Sequence, residues 1–291
     1  MKPLIEIDLL SKRFDETLAL DQINLSIEKG KVYGLIGRNG AGKTTLLKLI
    51  SGMLIPTKGA IHYDSDYIKE ANDICFGRDN NFYLSNYKLK ALLDMAKGIF
   101  PNWDRDRAKE LIDLFEIDTK KYYQKVSKGT QTMISIIISL CSGTDIILLD
   151  EPYAGLDPIN RENFYSYLRD HYFDGENTVI ISSHVIKEVE GYFERAIIID
   201  KGHILIDDDM ESIHDRSFEL ICDEVLFSEI KGTKNIIKHT KLAGQYTLSI
   251  YDTISNDEKS NYISKGARIN AMDLQDLLVA LCTKGGQSNG L

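Results

Sequence analysis

The chain has 291 residues, 43% hydrophobic and 27% charged, proportions of a globular protein with room for one large domain and an appendage, or for two modest domains. A net charge of −9 argues against a nucleic-acid partner, because a phosphate backbone is met by clustered Lys and Arg. The four cysteines, Cys75, Cys141, Cys222 and Cys282, form no CxxC pair, which argues against zinc or a disulfide framework and suits a reducing compartment.

The opening "MKPLIEIDLLSKRF" places acids where a signal peptide needs an apolar stretch. No segment reaches the ~18 to 20 apolar residues of a membrane span. "IEIDLL" and "INLSIEKGKVYGLIG" alternate apolar and polar residues and read as strands, with "EKGK" (28–31) supplying a hairpin turn. "TTLLKLISGML" has helical spacing and ends at Gly52, with Pro56 beyond. Leucines three and four apart in "LKALLDMAKGIF" and "DRAKELIDLF" predict helices. "VSKGTQTMISIII" (126–138) sets a polar turn at the mouth of an apolar helix.

"DIILLD", "NTVIISSH" and "RAIIID" are short, uninterrupted apolar runs, which fit parallel strands covered on both faces. Helix-like stretches between them give an α/β alternation. "IIIDKGHILI" predicts a hairpin about Lys201-Gly202, and from residue 216 a tail has its own strand, "YTLSIYD", and a last helix, "DLQDLLVALC".

Three of these segments carry chemistry. "GLIGRNGAGKTTLL" contains Gly37-x-x-x-x-Gly42-Lys43-Thr44. Its glycines let backbone N–H groups curl round an anionic oxygen cluster, and the following helix brings its positive dipole end to the same place. Lys43 then reaches the β- and γ-phosphates of a nucleotide, and the Thr44 hydroxyl suits Mg²⁺. "TDIILLDEPYAGLDP" puts Asp150 and Glu151 at a strand end, where open α/β sheets bind ligands. Asp150 suits Mg²⁺, and Glu151 suits accepting a proton from the water that attacks the γ-phosphate. His184 follows another such strand and suits a polar contact to the γ-phosphate and that water.

The order of these parts resembles the ATP-binding subunits of ABC transporters over residues 1 to about 215. The resemblance implies a P-loop NTPase (RecA-like) core of the α/β class, with an antiparallel β-subdomain and an α-helical subdomain at about 84–142. A small C-terminal α+β accessory domain (216–291) would resemble that of drug- and peptide-exporter ATPases. It also implies an ATPase that binds ATP and Mg²⁺ and pairs with a second ATP-binding subunit, identical or related. Such a pair would drive export of a drug, lipid or peptide through a separate membrane subunit, from the cytoplasmic face of the membrane.

By position, Gly37, Arg38, Asn39, Gly40, Ala41, Gly42, Lys43, Thr44 and Thr45 match the phosphate loop, and Phe14 matches the aromatic under adenine. Ser127, Lys128 and Gly129 match the signature turn that covers the partner's nucleotide in trans, and Asp157 the loop linking the two sites. Val126, Lys128 and Thr130 stand where the family has Leu, Gly and Gln. The family's glutamine loop has no glutamine here; Asp79 is the nearest match for its metal role, with Asn80 second, and the adjoining "NNFYLSNY" is a candidate groove for the membrane subunit. Two other readings compete: a soluble ATPase of the same family, and a nucleotide-gated module of low turnover.

Overall fold

The computed structural model describes residues 2–68, 73–78, 86–187 and 190–283. Two units emerge from the packing of the chain on itself: residues 1–184 with 191–207, and residues 185–190 with 208–291.

The first unit opens with β1 (Ile5–Phe14) and β2 (Thr17–Ile27), and then the central strand β3 (Val32–Ile36). β1 pairs antiparallel with β2 and with β4 (Lys58–Tyr63), giving a three-stranded sheet of order β2-β1-β4. Ile5, Ile7, Leu10, Leu20, Ile23 and Ile27 are buried from this sheet into one core.

A second sheet is built from β3, β5 (Ile74–Arg78), β6 (Ile146–Asp150), β7 (Thr178–Ser183), β8 (Arg195–Asp200) and β9 (His203–Asp209). Its order is β5-β6-β7-β3-β8-β9, and the first five strands run parallel. The apolar runs form its buried interior: every residue of β3 and β7 is buried. β8 and β9 meet through Lys201 and Gly202, both at positive φ (47° and 80°), the mirror-image turn that matches strand twist in a two-residue hairpin.

The turn expected at 28–31 is not a hairpin. β2 and β3 lie in different sheets, and the segment between them is an inter-sheet crossover. Alternation marks β2 as a half-buried strand, but it stops at Ile27, and the run from Val32 belongs to a strand buried on both faces. Gly30 is needed there: at φ 74° its missing Cβ would lie 2.1 Å from the Gly175 carbonyl oxygen.

Between β5 and β6 the described residues include α2 (Leu89–Ile99), α3 (Arg105–Leu114) and α4 (Lys128–Leu140), after α1 (Lys43–Ile50) has followed the phosphate loop. α4 lies tightly on β5: a Cβ on Gly77 would meet Ser139 Oγ at 2.3 Å. α5 (Pro158–Tyr172) starts after the acid pair, with Asp157 as its N-cap and Pro158 in its first turn.

In the second unit come α6 (Met210–Arg216), β10 (Ser217–Cys222), α7 (Glu224–Ile230), β11 (Ile236–Leu242), β12 (Gln245–Tyr251), α8 (Asn256–Ser264), β13 (Arg268–Ala271) and α9 (Leu274–Thr283). Its four strands form an antiparallel sheet of order β11-β12-β10-β13. The core of this α+β unit is Phe218, Leu220, Leu226, Leu248 and Ile250, with Phe227 stacked on Tyr246 at 4.2 Å between ring centroids. Ser255 and Glu258 form a reciprocal capping box at the start of α8.

Candidate active site

Strand order explains why residues 37–44, 150–151 and 182–184 come together. β6, β7 and β3 are consecutive and parallel, with Asp150 opposite Ser182 and Ile36 opposite Ser183. All three carboxyl ends therefore open on one edge, where ligands of such sheets bind.

The phosphate loop turns sharply there. Gly40 and Gly42 have φ of 79° and 113°, which a side chain would resist. A Cβ on Gly37 would lie 2.3 Å from the Ile199 carbonyl oxygen. The first backbone bond of α1 runs from Leu46 N–H to Gly42 O (2.9 Å), leaving the Lys43, Thr44 and Thr45 N–H groups ahead of the ladder, as at any helix N-terminus. A cavity of about 460 Å³ opens over them. Its walls include residues 39–45 of the loop, the two acids, Ala19, Ala154 and Lys128.

Lys43 is only 5% exposed. Its Nζ donates to the carbonyl oxygens of Gly37 (2.8 Å) and Arg38 (3.2 Å) and lies 3.7 Å from Glu151 Oε1. Burial pushes the Lys43 ammonium below the usual lysine range, against the opposing pull of Glu151 and Asp150. Arg38 thus contributes its backbone rather than its exposed side chain.

Thr44 Oγ1 donates to both oxygens of Asp150, at 2.8 and 3.1 Å. A hydroxyl and a carboxylate held together on a phosphate-binding wall fit Mg²⁺, which takes one or two protein oxygens and fills its octahedron with phosphates and water. Among the described residues no group of three His, Cys, Asp or Glu could hold a metal. Asp79, expected to share the metal role, lies outside the described residues, as do Asn80 and residues 81–85.

Glu151 has φ 49°, a left-handed conformation that costs a non-glycine residue about 1–3 kcal/mol and is concentrated at functional sites. Besides Lys43, two contacts hold it. Its N–H donates to Ser182 Oγ (2.9 Å), and Oε1 lies 2.8 Å from His184 Nδ1. His184 does not line the cavity; it stands behind Glu151, which does.

Sequence reasoning missed two residues here. Ser182 Oγ donates to Asp150 Oδ1 (2.7 Å) while accepting from Glu151 N–H, so one hydroxyl orients both acids. Tyr153 OH accepts the His184 backbone N–H at 3.0 Å and lies 3.0 Å from Nδ1. The serine could have been found, because it is two residues before His184 on an edge already identified. No pattern marks the tyrosine.

The remaining candidates lie elsewhere. Phe14 ends β1, 43% exposed, with Lys12 Nζ 5.1 Å from its ring centroid, and it is not among the cavity's lining residues. Ser127 is the N-cap of α4 and accepts from Thr130 N–H at 3.1 Å. With Gly129 and Asp157 it lines a second hollow of about 210 Å³, separate from the phosphate cavity. Asp157 accepts from Asn160 N–H (2.9 Å) and Nδ2 (2.7 Å), which holds its carboxyl below the usual range.

Comparison with known proteins gives a consistent picture. Residues 20–154 match the family model described as ABC transporter. The chain is 35% identical over 192 residues to the ABC transporter ATP-binding protein YtrB of Bacillus subtilis, a match covering 64% of this chain and 65% of that protein. Over 213 residues it is 30% identical to the bacitracin transport ATP-binding protein BcrA of Bacillus licheniformis, covering 70% of this chain and 69% of that protein. Among solved structures, a dimeric ATP-binding cassette in a post-hydrolysis state with ADP and Pi shares the fold, with a TM-score of 0.61 at 23% identity, covering 71% of this chain and 98% of that one.

Proposed function

Because this chain belongs to the ATP-binding subunits of ABC transporters, an ATP-hydrolysing family, we propose that it binds ATP at the phosphate loop and hydrolyses it to drive a separate membrane-spanning subunit. The observation that carries this reading is the convergence of Lys43, Thr44, Asp150 and Glu151 on one cavity. The loop N–H groups and Lys43 hold the phosphates, and Thr44 with Asp150 would hold Mg²⁺. When bound, that ion neutralises charge developing on the phosphate oxygens. Glu151, fixed by Ser182 and His184, takes the proton of the attacking water.

A pair of chains completes the site. Ser127 and Gly129 face their own hollow rather than the phosphate cavity, which supports a role on a nucleotide held by a second ATP-binding subunit, identical or related. The dimeric solved cassette supports the same reading. Among the described residues no helix is long and apolar enough to cross a membrane, so attachment to the cytoplasmic face would come through the membrane subunit. Export of a drug, lipid or peptide is the transport direction and cargo class proposed, and the bacitracin-transport relative supports that range.

The test is steady-state ATP hydrolysis by Glu151→Gln. Loss of a general base lowers turnover by about 10² to 10⁴-fold while ATP still binds. Unchanged turnover would refute the assignment.

A further inference from the structure

One imidazole nitrogen faces two partners that require opposite things of it. His184 Nδ1 lies 2.8 Å from Glu151 Oε1 and 3.0 Å from the Tyr153 hydroxyl. A carboxylate only accepts, so its bond needs a proton on Nδ1. A phenol can donate to that nitrogen only when it is bare, and a neutral imidazole then carries its proton on Nε2. We infer that Tyr153 is a positioning residue that takes Nδ1 over from Glu151. It holds His184 as the Nε2–H tautomer while the carboxylate turns to the attacking water, an inference that rests on the ATP-hydrolysis reading above.

The turn after the acid pair builds this arrangement. Glu151 sits at φ 49° and its carbonyl oxygen accepts the Ala154 N–H at 3.0 Å, so the chain folds back and side chains two apart reach the same imidazole. Tyr153 is 4% exposed, and its hydroxyl accepts the His184 backbone N–H at 3.0 Å. That bond anchors the phenol beside the ring it serves. The two rings meet edge-on, with centroids 5.7 Å apart, a geometry that aromatic pairs favour. The phenol is therefore in place for either tautomer, and only the partner of Nδ1 changes.

Bond strength sets the order of events. The carboxylate bond is charge-assisted and the stronger of the two, so Nδ1–H on Glu151 is the resting form. It occupies the oxygen that also lies 3.7 Å from Lys43 Nζ. When Glu151 engages a water instead, Tyr153 supplies the bond that Nδ1 loses. No net charge moves: one proton leaves Nδ1 for solvent and one joins Nε2, and the His184 side chain is exposed enough for water to carry both. Nε2–H is then the donor that the expected contact of His184 with the terminal phosphate requires.

The experiment reads the tautomer directly. Full-length protein carrying ¹⁵N-histidine is observed by long-range nitrogen–proton NMR correlation, which separates both tautomers and the imidazolium, and His184→Gln identifies the signals. Spectra are taken at about pH 8, where imidazole is mostly neutral, without nucleotide and with Mg²⁺ and the non-hydrolysable imido analogue of ATP. Wild type is expected to hold Nδ1–H alone and to pass to Nε2–H with the analogue. Tyr153→Phe should stay Nδ1–H in both, with kcat about tenfold lower and KM for ATP unchanged. A mere packing defect would not move the tautomer. Replacing Tyr153 by 3-fluorotyrosine, a stronger donor of the same shape, should raise the Nε2–H share. Nδ1–H or imidazolium in analogue-bound wild type, or the same tautomer change in Tyr153→Phe, would overturn the takeover while leaving the hydrolysis reading intact. Absence of ATP hydrolysis by the wild type would overturn both.

Discussion

Ser182 shows how much rests on one hydroxyl. It donates to Asp150, accepts from the strained Glu151 backbone, and sits fully buried at the end of β7. Ser182→Ala leaves the part-buried Glu151 N–H without its acceptor, a loss that costs about 1–3 kcal/mol where burial is complete. The mutant should melt earlier in a thermal denaturation scan. Its ATP turnover should fall about tenfold, the effect of ~1.4 kcal/mol on the barrier, because Glu151 is no longer held over the cavity. A wild-type rate would mean that His184 alone orients Glu151. The phosphate-loop residues and the acid pair were legible in the sequence because their chemistry demands set residue types at set spacing. Tyr153 was not, because its hydroxyl finds the histidine only through the 150–153 turn, and Ser182 was marked only by its place two residues before His184.

One buried phenol helps tie the helical insertion to the rest of the first unit. Tyr172, at the end of α5, donates to the Leu140 carbonyl oxygen (2.6 Å) and accepts from Arg107 Nη1 (2.8 Å), linking α3, α4 and α5. Burial pushes its phenol well above the usual range, so it stays neutral. Tyr172→Phe keeps the ring's packing but leaves both partners short of a bond. Equilibrium unfolding should report a loss of about 1–3 kcal/mol; an unchanged midpoint and slope would show that water replaces the phenol. At this level the sequence was read well where the pattern was plain, helical spacing in α2 and α3 and unbroken apolar runs in β6 and β7, and misread at 28–31. A glycine between two strand patterns looks the same whether the chain folds back or crosses to another sheet.

For the assembled molecule the sharpest expectation concerns Ser127. Ser127→Arg fills the second hollow with a bulky cation and removes the N-cap of α4, which costs about 1 kcal/mol. If this turn covers a partner's nucleotide, ATP hydrolysis should fall by about 10² or more, the scale of losing a phosphate-stabilising donor. ATP binding to a single chain, followed by calorimetry, should persist because the phosphate cavity excludes Ser127. Normal turnover would refute the trans site.

The amino-acid order alone was enough for the α/β class, the phosphate loop and the pairing of Asp150 with Glu151, since each depends on interactions within a few residues or on a repeating burial pattern. Tertiary structure decided three things. It placed 28–31 between two sheets, supplied Ser182 and Tyr153 to the acids and histidine, and divided Ser127, Lys128 and Gly129 between two cavities. Each depends on which distant backbones come within reach, and that is set by sheet order and glycine contacts rather than by spacing along the chain.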